Sequence, residues 1–325
     1  MNEKINEIFI DELKKYLPKG KKLIPYLMDE LDLGKESAYR RVRNNTPFSA
    51  AEIIRLSTKL GFSLDDIVGK TNSNRVFFDI KTNSSLDDPI ALYQDFMGDT
   101  PDIMRKINGI KNAKAIILHN RTPLLFIAHR KNILRLVYYR WMHQTFDVPL
   151  NFRLSDVVLP KEILSMSKQM NYNYIKTGEM SVILDKNSFY SMLKEVIYYY
   201  KRGHITNEEL EALSEDFSKM IDNFEILTSR GENEVGTKFN IYLSSLLIEG
   251  NSGYFEFENK TQVMLWSFGT PTLVITKPDY CKIHKSRMES FFKFSTLITK
   301  CNESERAEYI NTQRNHIKEI LNLLN

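Results

Sequence analysis

The sequence predicts a two-part chain: an all-α unit over residues 1–69, a linker over 70–88, and an α+β domain over 89–325 built on an antiparallel sheet. Three observations predict it. The first 69 residues carry apolar side chains at helical spacings, punctuated by capping residues. The stretches "KTNSNR" and "KTNSSLDDP" are polar and lack an apolar period. Between Lys238 and Thr276, four strand-length pieces rich in β-branched and aromatic residues are separated by short Gly, Asn or Pro turns.

The elements of the first unit follow in order. "INEIFIDELKKYL" places Ile5, Ile8, Phe9, Leu13 and Leu17 on one helical stripe. "KKLIPYLMDEL" repeats the pattern with Leu23, Tyr26, Leu27 and Leu31, and Pro25 is tolerated because it falls in the first turn. "GKESAYRRVRNN" supplies a third, cationic helix. "SAAEIIRLSTKLG" has Ser49 as N-cap, Glu52 as its capping-box partner and Gly61 as the stop. A last turn, "SLDDIVG", runs from Ser63 to Gly69.

In the second part, "PIALYQDFMGDTPDIMRKING" is helical in period and broken near Gly98 and Pro101. "AKAIILHN" and "PLLFIAH" are short apolar runs expected to be strands. "RKNILRLVYYRWMHQTF" and "NSFYSMLKEVIYYYKRG" are amphipathic helices, and "TNEELEALSEDFSKMIDNFEIL" is a longer acidic one. "KFNIYLSSLLIEG", "GYFEFEN", "QVMLWSFG" and "TLVIT" are expected to form an antiparallel meander. Two helices close the chain, "YCKIHKSRMESFFKFSTLITK" and "ESERAEYINTQRNHIKEILNLL".

The totals narrow the function classes. At 325 residues the chain is long for one compact domain. Its 42% hydrophobic and 26% charged residues are those of a globular protein with a full core. A formal charge of +4 is too small for a basic tail protein, so affinity for nucleic acid must come from a local concentration of Lys and Arg. No apolar run approaches the ~20 residues that cross a bilayer, and no membrane partner is expected. The opening residues lack a signal-peptide core, and Cys281 and Cys301 are expected to be reduced thiols in a cytoplasmic protein.

Several motifs carry no chemistry. "GENEVGTK" (231–238) mimics a phosphate loop but has Thr and Lys in the wrong order and follows a helix. Cys281 and His284 have metal-like spacing without a second pair of ligands. The six histidines form no metal motif, and no serine nucleophile motif or dinucleotide fingerprint is present. The expectation is therefore no cofactor, no metal and no catalytic set. In "HRKNILRLVYYRWMH", Arg130, Lys131, Arg135 and Arg140 edge an apolar stripe; they are read as a solvated basic side, or as the lining of an anion or nucleic-acid site.

The cationic stretch carries the functional argument. If residues 35–45 are helical, Tyr39 and Val42 share a face that can pack inward, with Ala38 beside them. Glu36, Ser37, Arg40, Arg41 and Arg43 then project outward. Such a helix suits the major groove, where Arg can bond a guanine edge twice. Lys14, Lys15, Lys19, Lys21 and Lys22 form a second cluster, with no acid between residues 13 and 28, where the preceding helix begins. Helix N-termini beside lysines hold phosphates well.

Residues 23–69 resemble the helix-turn-helix domain of the phage-repressor/Cro type, the XRE family. "AAEIIRLSTKLGFSLDDIVG" matches the family's final helix, its "aLG" break and its closing "sldelL" turn. "SAYRRVRNN" matches the pattern "sTISRIErG", with Tyr39 and Val42 in the two buried places. The family's small residue and turn Gly are replaced by Met28 and Asp32, and Gly34 comes two residues late; Asp tolerates the left-handed geometry such a turn needs. The resemblance implies binding of double-stranded DNA, with Glu36, Ser37, Arg40 and Arg41 facing the bases. Lys21, Lys22, Lys35, Arg43 and Asn44 are assigned to phosphates. The expectation is a helix-turn-helix transcription regulator acting as a homodimer, its C-terminal domain dimerising or sensing a small-molecule or protein effector. Its rivals are a DNA-targeted enzyme and a protein-interaction module.

Overall fold

A computed structural model of the chain describes residues 2–18, 20–64, 67, 87–98, 100–267 and 272–324. The chain forms two compact units, Met1–Phe77 and Phe78–Asn325. Of the expected linker only Asp87 and Asp88 are described, and Asp65, Asp66, Val68 and Gly69 of the expected closing turn also lie outside the described residues.

In the smaller unit, four helices follow the expected stripes: α1 (Asn2–Tyr16), α2 (Leu23–Leu31), α3 (Lys35–Val42) and α4 (Ala50–Leu60). Phe9 and Leu13 of α1, Leu27 of α2, Ala38 of α3 and Leu56 of α4 are fully buried in one cluster. The local signals are satisfied where the sequence placed them. Ser49 and Glu52 form the reciprocal capping box, and Gly61 ends α4 in the left-handed region at φ 74°. Asp32 takes the same region at φ 52°, accepting the left-handed turn at the end of α2. Buried Asn6 ties α1 to the chain beyond α3: its Nδ2 donates to Asn44 Oδ1 at 2.5 Å, and its Oδ1 accepts from the Phe48 amide at 3.2 Å. Ile54 of α4 is exposed.

The larger unit is mixed α/β. Asp88 caps α5 (Pro89–Met97), which Gly98 ends before α6 (Thr100–Ile107). The strands are β1 (Lys114–His119), β2 (Glu179–Asp185), β3 (Lys238–Ser244), β4 (Asn251–Phe257), β5 (Lys260–Trp266), β6 (Leu273–Ile275) and β7 (Ser295–Leu297). They make one sheet in the order β6-β5-β4-β1-β2-β3-β7. β1, β2 and β3 run parallel, whereas β4–β6 and β7 flank them antiparallel.

This corrects four expectations. The sheet is mixed, not antiparallel. β3 is not part of the meander: it pairs with β2, and only β4, β5 and β6 form the antiparallel run. "PLLFIAH" is not a strand but holds the short helix α7 (Leu124–Ile127); its unbroken apolar run has no period that separates the two. The helix begun at Tyr280 stops early: α12 (Pro278–Ser290) passes through a 3₁₀ turn into β7, which pairs with β3.

Parallel strands need long crossovers and cover on both faces. The crossovers supply α8 (Lys131–Thr145) and α9 (Lys161–Gln169) between β1 and β2, then α10 (Ser188–Lys201) and α11 (Asn207–Arg230) between β2 and β3. Alternate residues in register, Ala115, Met180, Phe239 and Phe255, belong to the main core with these helices and α13 (Glu303–Leu321). Ile116, Leu118 and Ile183 lie outside that cluster, and α12 packs on β1, β4 and β5, burying Cys281 and Met288.

Entry into β2 requires Gly178. A Cβ there would run into the carbonyl oxygens of Lys111 and Ala113. Gly178→Ala is expected to destabilise the larger unit by ~1–3 kcal/mol, as overpacking does. A urea midpoint followed by tryptophan emission measures this, and an unchanged midpoint would show that the Lys111–Ala113 segment yields without cost.

Candidate functional site

Helix α3 has Gly34 as its N-cap residue and Glu36 in its first turn, and it is only eight residues long, so tertiary packing must hold it. It packs against α2 through Ala38, which is 0% exposed, and through half-buried Val42 one turn on. Tyr39, expected to be inside, is 37% exposed. The inward face is therefore the Ala38–Val42 side, rotated by one residue from the expected one. Both pairs have legitimate helical spacing, three for Tyr39–Val42 and four for Ala38–Val42, and the smaller side chain fits the close approach to α2.

The rotation decides what faces out. Glu36, Tyr39, Arg40 and Arg43 form an exposed stripe, Lys35 stands beside it, and Ser37 is half-buried. The Arg43 guanidinium lies over the Tyr39 ring, 5.6 Å from its centroid. Arg41, expected to project outward, instead turns to α4. It donates to Glu52 Oε1 from Nη2 at 2.7 Å and from Nε at 3.1 Å, and its side chain is only 17% exposed. Asn44 sits at φ 61° with its side-chain oxygen on Asn6, shaping the turn that follows α3.

Glu52 thus joins α3 to the N-terminus of α4. Its other oxygen accepts from the Ser49 amide at 2.7 Å. Burial pushes its carboxyl up, but the Arg41 hydrogen bond, the Ser49 amide and the Arg41 charge outweigh this and hold it below the usual glutamate range. A depressed folded value stabilises the unit above the unfolded value of about 4.3, and that contribution disappears as pH falls through the folded value. Glu52→Gln is expected to lower the smaller unit's stability at pH 7 by ~1–2 kcal/mol. The difference from wild type should shrink as the pH drops below about 4. Helical melting at both pH values checks this; a constant difference would remove the charge from the account.

The second cationic cluster divides. Lys14 and Lys15 reach back to Asp11 and Glu12, at 3.2 and 3.8 Å. Lys19 lies outside the described residues. Lys21 and Lys22 are exposed at the start of α2, where Lys22 is the N-cap residue and the first turn holds no acid. Lys21 also lies over the Tyr26 ring, 5.7 Å from its centroid.

The larger unit absorbs the remaining candidates. Arg135 pairs with Glu209 and Arg140 with Glu195, both at 2.7 Å, so this edge of α8 is bridged to its neighbours rather than bare. "GENEVGTK" is a turn organised by buried Asn233, whose Nδ2 donates to the Tyr172 and Ile175 carbonyls and whose Oδ1 accepts from the Val235 and Thr237 amides. Cys281 is buried with its thiol on the Ile275 carbonyl. Among the described residues, no group of three or more His, Cys, Asp or Glu is placed to hold a metal. No helix among them is long and apolar enough to cross a membrane.

A cavity of about 360 Å³ opens in the larger unit beside the end of β1. His119 stacks there on Trp266, with centroids 5.1 Å apart and planes at 18°. Burial holds its pKa down to about 4 against the opposing effect of the Asn251 side chain. Glu249, which is exposed, is the one carboxylate lining the cavity among the described residues. Tyr39 and this cavity are what sequence reasoning missed; the Ala38–Val42 spacing could have signalled the first, while nothing local signals the second.

Compared with known protein families, with curated proteins and with solved structures, the chain matches none.

Proposed function

We propose that the chain is a sequence-specific, double-stranded-DNA-binding transcription regulator acting in the cytoplasm, with α2 and α3 as its helix-turn-helix. The exposed stripe of α3 carries this reading. A short helix is anchored through Ala38, Val42 and the Arg41–Glu52 bridge, and it presents Glu36, Tyr39, Arg40 and Arg43 to solvent. Three cations against one carboxylate, Lys35 included, suit a polyanion, and Arg and Glu are side chains that bond base edges in the major groove. Glu36, Ser37 and Arg40 keep the base-facing role, and Tyr39 joins them. Arg41 serves as a brace. Lys21, Lys22, Lys35 and Arg43 contact phosphates, and Asn44 shapes the turn beside them.

One such unit reads only a few base pairs, so the proposal includes a homodimer on two half-sites. The larger unit then serves to dimerise and to sense an effector. Selection of bound fragments from random duplex DNA tests the proposal. Enrichment of a repeated half-site is expected; recovery of unenriched fragments, or of none, would overturn it in favour of a protein-interaction role.

A further inference from the structure

The cavity lies where the sheet changes direction. β1 runs parallel to β2 on one side and antiparallel to β4 on the other. The chain leaving β1 at His119 and the chain entering β4 at Asn251 meet at this edge, where the Asn120 amide donates to Asn251 Oδ1 at 2.9 Å. Crevices at the carboxyl ends of parallel strands, beside a switch in strand order, are where open α/β sheets take ligands. The volume of about 360 Å³ falls within the ~300–1,000 Å³ of small-molecule sites.

Its lining describes the ligand. Phe96, Met104, Ile117, Trp141 and Trp266 give it an apolar, largely aromatic wall. Tyr93 and Asn120 also line it, and each has a buried polar atom, Oη and Oδ1, without a hydrogen-bond partner among the described residues. Tyr93 is 0% exposed, and burial raises its hydroxyl far above the ordinary tyrosine value, so it stays a neutral donor. An unmet buried polar group bears the full cost of its desolvation, which a ligand can recover.

The charges along the lining cancel. Arg140 is neutralised by Glu195 at 2.7 Å, and His119 is uncharged. Arg121 and Glu249, of opposite sign, are both exposed.

We propose that this cavity binds an uncharged, ring-bearing small molecule whose hydroxyl or amide groups hydrogen-bond Tyr93 and Asn120. The inference rests on the sensing role given to the larger unit, but its test uses no DNA, so either reading can fail while the other stands.

Both tryptophans of the chain, Trp141 and Trp266, line the cavity, so their emission reports its occupancy. Three probes with one body and different heads are titrated into the full chain: 4-tert-butylphenol, tert-butylbenzene and 4-tert-butylbenzoate. The phenol should change the emission saturably, and the benzoate should bind at least about tenfold more weakly, because its charge would be desolvated. Tyr93→Phe removes only an unpartnered hydroxyl, so the fold is kept. It should weaken the phenol about fivefold, the worth of one hydrogen bond, and leave tert-butylbenzene unchanged. Asn120→Ala should also weaken the phenol. Benzoate binding as tightly as the phenol would overturn the proposal, as would a phenol affinity that neither substitution alters. The absence of a saturable change with all three probes would overturn it as well.

Discussion

Ala38→Asp is expected to unfold the smaller unit while the larger one stays folded. Ala38 is fully buried in the apolar cluster that holds Leu27 and Leu56, and Arg41 of the same helix is already paired with Glu52. An uncompensated buried carboxylate costs ~3–5 kcal/mol. That approaches the whole stability of a unit this small, where net stability is roughly 0.05–0.15 kcal/mol per residue. Two signals separate the units: helicity by circular dichroism reports both, whereas Trp141 and Trp266 report only the larger. Helicity should fall with no change in the tryptophan melting curve. Tyr39→Ala, one residue along, should keep the unit folded within about 0.5 kcal/mol, as surface substitutions do. If Tyr39→Ala unfolds the unit and Ala38→Asp does not, the inward face of α3 is the Tyr39 side after all.

Arg40→Ala and Lys22→Ala should weaken DNA binding with opposite signatures. Losing a bidentate base contact at Arg40 is expected to cost ~1–3 kcal/mol on the selected duplex and little on a scrambled one. Losing a phosphate contact at Lys22 should weaken both alike and lower the salt slope by about one unit. Affinity against salt on the two duplexes measures both. Arg41→Ala makes an internal control, since it strands Glu52 and should lower the stability of the unit more than its discrimination. If Arg40→Ala weakens both duplexes equally, α3 is an electrostatic contact and reads no sequence.

The local features were legible because their causes are local. Ser49 and Glu52 cap α4 from three residues apart, Gly61 supplies a left-handed stop, and Asp32 accepts the same geometry at the end of α2. Each rests on a backbone preference that neighbouring residues complete. The apolar stripes of α1 and α2 are likewise periodic signals within one element, and β4 and β5 were marked by β-branched and aromatic residues between short turns.

Pairing across the chain was not legible. The segment that forms β2, "EMSVILD", carries a short apolar run that no period assigns, and it becomes a strand between β1 and β3, whose registers start at Lys114 and Lys238 against Glu179. That partnership displaced β3 from the expected meander and made the sheet mixed. On α3 the ambiguity is finer. Spacings of three and four both describe one helical face, so the sequence by itself determined an amphipathic cationic helix and its capped neighbours. Only packing against α2 and the Arg41–Glu52 bridge to α4 decided that Ala38 turns in, Tyr39 turns out and Arg41 braces. The cavity is the extreme case: Tyr93, Asn120, Trp141 and Trp266 come from four separate stretches. A periodic pattern records which side of one element is apolar, whereas a cavity and a strand order depend on which distant elements that side meets.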